Sequence, residues 1–175
     1  YDQTRATMGK PIPAGSLVLI ASSGGILSAL DVKTGEKKWD FHFNSYRSGY
    51  TQNVFGSFNG YPLVEGENIY FGSVNGQFNS FKTNGEVRWQ APVGVQGSAI
   101  LLSNSLFLVS DTNELLRLDK NNGSLIWSNK LGSSNELNSY FTPVLIGSKL
   151  WVSSSNGDLT SYHPINGKLV DRFSL

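Results

Sequence analysis

Residues 25–39 read GILSALDVKTGEKKW, and residues 113–127 read NELLRLDKNNGSLIW. In both stretches apolar and polar residues alternate up to an aspartate, Asp31 or Asp119, and a tryptophan follows four positions after a glycine. Alternation with a period of two is typical of a β-strand with one face against a neighbouring sheet. Both stretches therefore predict the same local structure, a strand, a tight turn and a second strand.

This pattern recurs four times along the chain, without helical periodicity. Each copy predicts three strands joined by two tight turns, and a further short strand precedes each copy, as at Thr142 to Ile146. The spacing between copies averages near the ~40–45 residues of a four-stranded propeller blade. The copies are Leu17 to Phe43, Asn68 to Val93, Ser105 to Leu131 and Lys149 to Leu175. The sequence therefore predicts an all-β chain of four four-stranded units.

The turns carry residues that accept a positive φ. The first turn holds Gly24-Gly25, Asn75-Gly76, Thr112-Asn113 or Asn156-Gly157. Such pairs are favoured in two-residue hairpin loops, which we expect here. The second turn contains a glycine in every copy, at Gly35, Gly85, Gly123 and Gly167.

Trp39, Trp89 and Trp127 stand at one offset in the first three copies, and Asp171 takes that place in the fourth. Tryptophans can form an aromatic ligand surface or can pack one unit against the next. Recurrence at one offset favours packing, because ligand sites seldom repeat so evenly and a buried tryptophan contributes on the order of a few kcal/mol. We expect the three to be structural anchors between blades.

The repeated unit, with x-Pro-Val, a strand, Asn-Gly, and Leu-x-x-Leu-Asp-x-x-x-Gly-x-x-x-Trp, resembles the PQQ-like β-propeller repeat over almost the whole chain. The resemblance implies a single partial β-propeller over residues 1–175, with blades at approximately 10–43, 58–93, 97–131 and 140–175. Relatives form eight-bladed rings, so we expect about half a ring. Because a half ring leaves two blade faces open, we expect a fragment of a longer protein, with a homodimer or a complementary chain as the alternatives.

Within this superfamily the stretch Val109 to Leu175 resembles the BamB family of outer-membrane assembly lipoproteins. It carries Asp-Thr-Asn in an inner turn, then Ile-Trp-Ser, Thr-Pro-Val-Leu and a last unit ending in Gly-Lys-Leu-Val. The resemblance implies a non-enzymatic, protein-binding scaffold of the machinery that assembles outer-membrane β-barrels. It implies BamA-like and unfolded outer-membrane protein partners, and a periplasmic location with a lipid anchor at the outer membrane in the full-length form.

Two alternatives come from other functional classes, a PQQ-dependent dehydrogenase propeller and an extracytoplasmic ligand-sensing propeller. The quinoprotein enzymes carry a vicinal cysteine pair against the quinone, whereas this chain has no cysteine. Only His42 and His163 could act as imidazole bases or ligands, and they occupy different repeat positions. Asp31 and Asp119 precede turns, where aspartate usually accepts backbone hydrogen bonds. We therefore predict no catalytic residue, no cofactor and no metal site.

The net charge argues against nucleic acid as a partner, and the length of the apolar runs argues against a membrane-spanning helix. The formal net charge is +1, so no broad basic surface is available for nucleic acid. The longest apolar runs are strand-sized and far below the roughly 20 residues of a membrane-spanning helix.

The linkers are the better candidates for recognition, since loops on a rigid scaffold usually carry function. The longest is polar and contains Tyr46, Arg47 and Tyr50, residue types that are enriched at interface hot spots. The resemblance places the partner-binding surface in this loop and around Arg5. This sequence lacks the acidic residues that family members carry in that loop. Arg5, Tyr46, Arg47 and Tyr50 are the predicted protein-binding residues.

Overall fold

The computed structural model describes residues 10–22, 25–43, 58–74, 76–132 and 138–174. Within these ranges every regular element is a β-strand, and the strands form four separate four-stranded antiparallel sheets. The strands of each sheet lie side by side in chain order. The predicted all-β class with four four-stranded units is therefore confirmed. The described residues include no helix of the length and apolarity that a bilayer crossing requires.

The chain divides into two compact units, Tyr1–Ser98 and Ala99–Leu175, and each unit contains two sheets. Sheet 1 comprises β1 (Ile12–Ala14), β2 (Leu17–Ser22), β3 (Ile26–Asp31) and β4 (Lys37–His42). Sheet 2 comprises β5 (Leu63–Glu65), β6 (Asn68–Gly72), β7 (Phe78–Lys82) and β8 (Val87–Ala91). In the second unit, sheet 3 comprises β9 (Ile100–Leu102), β10 (Ser105–Val109), β11 (Glu114–Asp119) and β12 (Leu125–Lys130). Sheet 4 comprises β13 (Val144–Ile146), β14 (Lys149–Ser153), β15 (Asp158–Tyr162) and β16 (Leu169–Ser174).

The first turn of the repeat is one residue longer than predicted. In sheet 4 the amide of Ser154 donates to the carbonyl of Asp158 at 2.9 Å, so three residues form the loop. Its last residue, Gly157, has a φ of 90°. Sheet 3 has the same loop, closed by Asn113 with a φ of 61°. The prediction of two-residue loops is therefore wrong in these sheets, because a residue with positive φ also closes the three-residue hairpin loop.

Each unit buries its core between the facing surfaces of its two sheets. In the first unit Leu19, Leu27 and Ala29 of sheet 1 pack with Ile69, Phe71 and Phe81 of sheet 2. In the second unit Phe107 and Leu115 of sheet 3 pack with Leu150, Val152 and Tyr162 of sheet 4. The core residues named here lie two positions apart along a strand, as Leu27 and Ala29 do, so they share one face of their sheet. The inner strands are also buried at consecutive positions, for example throughout β10, so both of their faces are covered.

Candidate functional site

The four residues predicted to bind protein, Arg5, Tyr46, Arg47 and Tyr50, lie outside the described residues. Their role in an interface stays a prediction from the sequence. The described residues supply two other features to consider: the contacts of the repeated tryptophans, and a cleft in the second unit.

Trp39 lies at the contact between sheets 1 and 2. Its indole Nε1 donates a hydrogen bond to the carbonyl oxygen of Thr83 at 2.8 Å, and its ring stacks near Phe81 with centroids 6.4 Å apart. Gly85, in the second turn of sheet 2, lies directly beneath the ring, because a Cβ there would be 2.8 Å from Cγ of Trp39. The half-buried indole is thus held by a turn of the following sheet.

Trp127 makes the corresponding contacts between sheets 3 and 4. Its Nε1 donates to the carbonyl of Pro164 in the following sheet at 3.2 Å, whereas its nearest ring partner, Phe107 at 5.9 Å, lies in its own sheet. Gly167 occupies the position of Gly85, since a Cβ there would be 2.9 Å from Cδ2 of Trp127. The same offset in the repeat therefore places an indole against the glycine turn of the following sheet in both units.

The third tryptophan is buried, and its aspartate counterpart is hydrogen-bonded within its own sheet. Trp89 is 8% exposed, with its ring 6.1 Å from that of Tyr70 and 6.0 Å from that of Phe78, both in its own sheet. Asp171 accepts hydrogen bonds from Lys149 at 2.8 Å and from Ser161 at 2.5 Å. These two partners, first Lys149 and then Ser161, lower the pKa of Asp171 below its ordinary value.

Asp31 and Asp119 organise turns, as the sequence predicts. Oδ1 of Asp31 accepts hydrogen bonds from the amides of Lys33 at 2.9 Å and Thr34 at 3.0 Å. Those amides, that of Thr34 foremost, lower the pKa of Asp31. Oδ1 of Asp119 likewise accepts from the amide of Asn121 at 2.7 Å. Within the described ranges no group of three or more histidine, cysteine, aspartate and glutamate residues could hold a metal ion.

A cleft of about 490 Å³ opens in the second unit between the end of β12 and strands β15 and β16 of sheet 4. Its size lies within the range of ligand-binding pockets, roughly 300–1,000 Å³. The lining is mixed, with two tyrosines, polar side chains and charged groups of both signs. The lining residues are Asn129, Lys130, Gly132, Tyr140, Asp158, Thr160, Tyr162, Leu169 and Arg172.

One wall of the cleft is held by Asp158 at the start of β15. Its Oδ1 accepts a hydrogen bond from Ser174 at 2.6 Å, and its Oδ2 pairs with Arg172 at 2.9 Å. These hydrogen bonds, first that of Ser174 and then that of Arg172, lower the pKa of the Asp158 carboxyl. The ion pair joins β15 to β16 and leaves Asp158 ionised at neutral pH.

The lowered pKa of Asp158 predicts a stability that depends on pH. A depressed pKa contributes stability above the ordinary value of 3.8, and this contribution is lost as the pH falls through the folded-state pKa. We expect Asp158→Asn to lower the melting temperature at about pH 7 and to have little effect near pH 2. Thermal unfolding of both proteins across that range checks this. A difference that stays constant with pH would contradict the role given to the carboxylate.

The cleft was not predicted from the sequence, although one residue departs from the repeat. Tyr162 stands where the other copies have Leu30, Phe81 and Leu118. The tyrosine hydroxyl at this otherwise apolar repeat position was the sign of a polar site that the sequence offered. The remaining lining residues come from two sheets and follow no shared motif, so their proximity depends on how the sheets pack.

Comparisons with known proteins connect this architecture to one family. The sequence profile described as outer membrane protein assembly factor BamB matches residues 2–98 and 56–175, nearly the whole chain. Outer membrane protein assembly factor BamB of Alkalilimnicola ehrlichii is 26% identical over 163 residues, and that of Legionella pneumophila is 25% identical over 167 residues. These alignments cover 93% and 94% of this chain and 42% of each relative. The chain thus spans less than half the length of these relatives.

Solved structures share the fold. The crystal structure of BamB from Moraxella catarrhalis matches with a TM-score of 0.80 at 22% identity, covering 97% of this chain and 50% of that one. The quinohemoprotein alcohol dehydrogenase from Comamonas testosteroni matches with a TM-score of 0.69 at 14% identity, covering 94% of this chain and 34% of that one. At such identities the likeness shows the β-propeller fold alone.

Proposed function

Because this chain belongs to the family of outer membrane protein assembly factor BamB, we propose that it is a non-enzymatic, protein-binding scaffold for assembling β-barrel proteins in the outer membrane. The observation that carries this proposal is the match of that family along nearly all of the chain. The four repeated sheets support it, because rigid sheets present their connecting loops to partners.

The choice of a scaffold over a dehydrogenase rests on the family and on the residues. The dehydrogenase of Comamonas testosteroni shares the fold at 14% identity, and a fold does not imply a function. This chain contains no cysteine, so it does not supply the vicinal pair that the quinoprotein resemblance implies. The function therefore follows the family and not the shared fold.

The proposed partners are a BamA-like barrel assembly protein and unfolded outer-membrane proteins. The proposed location is the periplasm, with a lipid anchor at the outer membrane in the full-length form.

We propose that the four sheets form half of an eight-bladed ring. The alignment with the relatives covers 42% of their length, and sheet 4 exposes large apolar side chains, Ile146 (62%) and Phe173 (52%), as a blade without a neighbour would. A homodimer that closes the ring should have about twice the 19.1 kDa mass of the chain in light scattering, and a mass of 19.1 kDa contradicts it.

We expect the double variant Arg47→Glu, Tyr50→Ala to bind a BamA-like periplasmic domain more weakly by at least about tenfold. The reason is that truncating an aromatic or arginine hot spot at an interface commonly costs about 2 kcal/mol or more. Biolayer interferometry with the immobilised chain measures this, and thermal melting should give an unchanged midpoint.

The matched control is Lys33→Glu, which reverses an exposed charge in a turn of sheet 1. It should leave the affinity unchanged. Equal affinity of the double variant and the unmodified chain would show that this loop is not the interface. If the unmodified chain itself fails to bind any barrel assembly protein or unfolded barrel substrate, the proposed function is wrong.

A further inference from the structure

We propose that the cleft between sheets 3 and 4 binds an extended polypeptide carrying an acidic side chain, whose carboxylate contacts Lys130 and Tyr162. This inference rests on the proposed scaffold function and names a binding site for it within the described residues. Three properties of the cleft, each stated of the described residues, carry the argument: a phenol without a hydrogen-bond partner, one positive charge in excess among the lining side chains, and two strand edges without a partner strand.

Tyr162 presents a hydroxyl group to the cleft. Its side chain is 7% exposed and lines the cleft, yet it makes no side-chain hydrogen bond within the part of the chain that the structure describes. The neighbouring Thr160 hydroxyl already donates to the carbonyl of Val152 at 3.3 Å. Because Tyr162 lines the open cleft, its phenol is available to donate a hydrogen bond to a ligand there.

Lys130 supplies a positive charge at the rim. Its ammonium forms no ion pair with any described residue. Glu114 lies opposite Lys130 in the strand register, but it is not among the residues that line the cleft. Arg172, the other cation of the lining, is paired with Asp158 at 2.9 Å. The lining therefore carries one positive charge in excess, which favours an anionic group beside the phenol.

The strands that border the cleft favour an extended peptide as the ligand that brings the carboxylate into it. β12 and β16 are the outermost strands of their sheets, and no described strand pairs with the outer edge of either. An extended segment can hydrogen-bond to such an edge while its alternate side chains enter neighbouring pockets. Leu169, 55% exposed, offers an apolar contact beside the charged groups. A carboxylate carried within the segment fits this geometry, because the backbone continues past the site on both sides.

The test measures fluorescence anisotropy with three labelled hexapeptides of alternating valine and threonine. The first has a central glutamate and an amidated end, the second has glutamine instead, and the third has glutamine with a free C-terminal carboxylate. We expect the glutamate peptide to bind about tenfold more tightly than either of the others, as a charge-assisted hydrogen bond would give. The preference should weaken as salt is added, since Lys130 lies at the exposed rim.

The variants test the two named groups separately. Lys130→Gln and Tyr162→Phe should each abolish most of the preference for glutamate, whereas Lys33→Gln, an exposed lysine in sheet 1, should leave it intact. Glu114→Gln should tighten binding of the glutamate peptide, because it removes the carboxylate that lies opposite Lys130 in the strand register. Amide chemical shifts of the unmodified chain should change at β12 and β16 on addition of the peptide, which locates the site even if a variant folds poorly.

Equal binding of the glutamate and glutamine peptides would overturn the proposal, as would tighter binding of the free C-terminal carboxylate or shift changes away from the cleft. These results would leave the scaffold function standing, because binding of the barrel assembly domain is measured independently. Loss of that larger interaction, with peptide binding retained, would contradict the scaffold function and leave the cleft as a peptide site.

Discussion

Gly60→Ala is expected to destabilise the first unit by about 3 kcal/mol or more, because the added methyl group has no space. A Cβ at Gly60 would lie 2.5 Å from the carbonyl oxygen of Gly97, and closer still to the carbonyl carbon of that residue and to the amide of Ser98. These are backbone atoms, which cannot rotate away as a side chain can. The adjacent hydrogen bond from the Tyr61 amide to the Ser98 hydroxyl, 2.7 Å long, would also be lost.

Urea unfolding of the purified chain, followed by tryptophan fluorescence, measures this loss. Two variants separate its contributions. Ser98→Ala removes the hydroxyl that accepts this hydrogen bond, without a steric clash, and should cost about 1 kcal/mol. Gly66→Ala places a methyl group where nothing lies within 4 Å, at a φ of 57°, so it should cost only the roughly 1–2 kcal/mol of that backbone conformation. If Gly60→Ala lowers the free energy of unfolding no more than Gly66→Ala does, the backbone at Gly60 does not lie as close to Gly97 and Ser98 as described.

Trp39→Ala is expected to lower the free energy of unfolding by about 3 kcal/mol, the lower end of the range for large aromatic truncations, because the side chain is only half-buried. The variant removes the hydrogen bond to the carbonyl of Thr83 and the ring contact with Phe81. It also uncovers Gly85, which lies under the indole. The loss should appear in urea unfolding as a lower midpoint.

A double-mutant cycle with Gly85→Ala tests whether the indole and the glycine act together. Gly85 has a φ of 90°, and its Cβ would be 2.8 Å from the indole, so Gly85→Ala should cost both conformational strain and steric overlap. In the Trp39→Ala background only the strain remains, which predicts a coupling energy of about 1–2 kcal/mol. Gly35→Ala is the matched control, with a φ of 71° and nothing within 4 Å. It should show no coupling, and additive effects of Trp39 and Gly85 would refute the contact.

Much of the fold could be predicted because its determinants lie close together in the chain. The patterns in Ile26–Asp31 and Glu114–Asp119 indicated strands, and both segments are strands in the structure. Adjacent residues such as Leu115 and Leu116 are both buried, so these strands are covered on more than the one face that the alternation indicated. Glycines at the second turn have positive φ, for example 71° at Gly35 and 73° at Gly123. The loop length of the first turn could not be read in the same way, since a residue such as Asn113 suits both two-residue and three-residue loops.

The candidate sites were predictable to a smaller extent. The recurring offset of Trp39 and Trp127 indicated a packing role, and the structure brings each indole onto a turn of the following sheet. The cleft around Lys130 and Tyr162 had no comparable indication, because its residues share no repeat position. The loop with Arg47 lies outside the described residues, so its role in binding remains a prediction.

By itself, the sequence determined the all-β class, the number of sheets and the positions of their turns, because these depend on side-chain alternation and local backbone preference. Only the tertiary structure decided that Gly60 approaches Gly97, that Gly85 accepts an indole and that Lys130 and Tyr162 share a cleft. The physical reason is that these contacts join different sheets and connecting segments. Their geometry is set by how the buried faces pack, which no local pattern specifies.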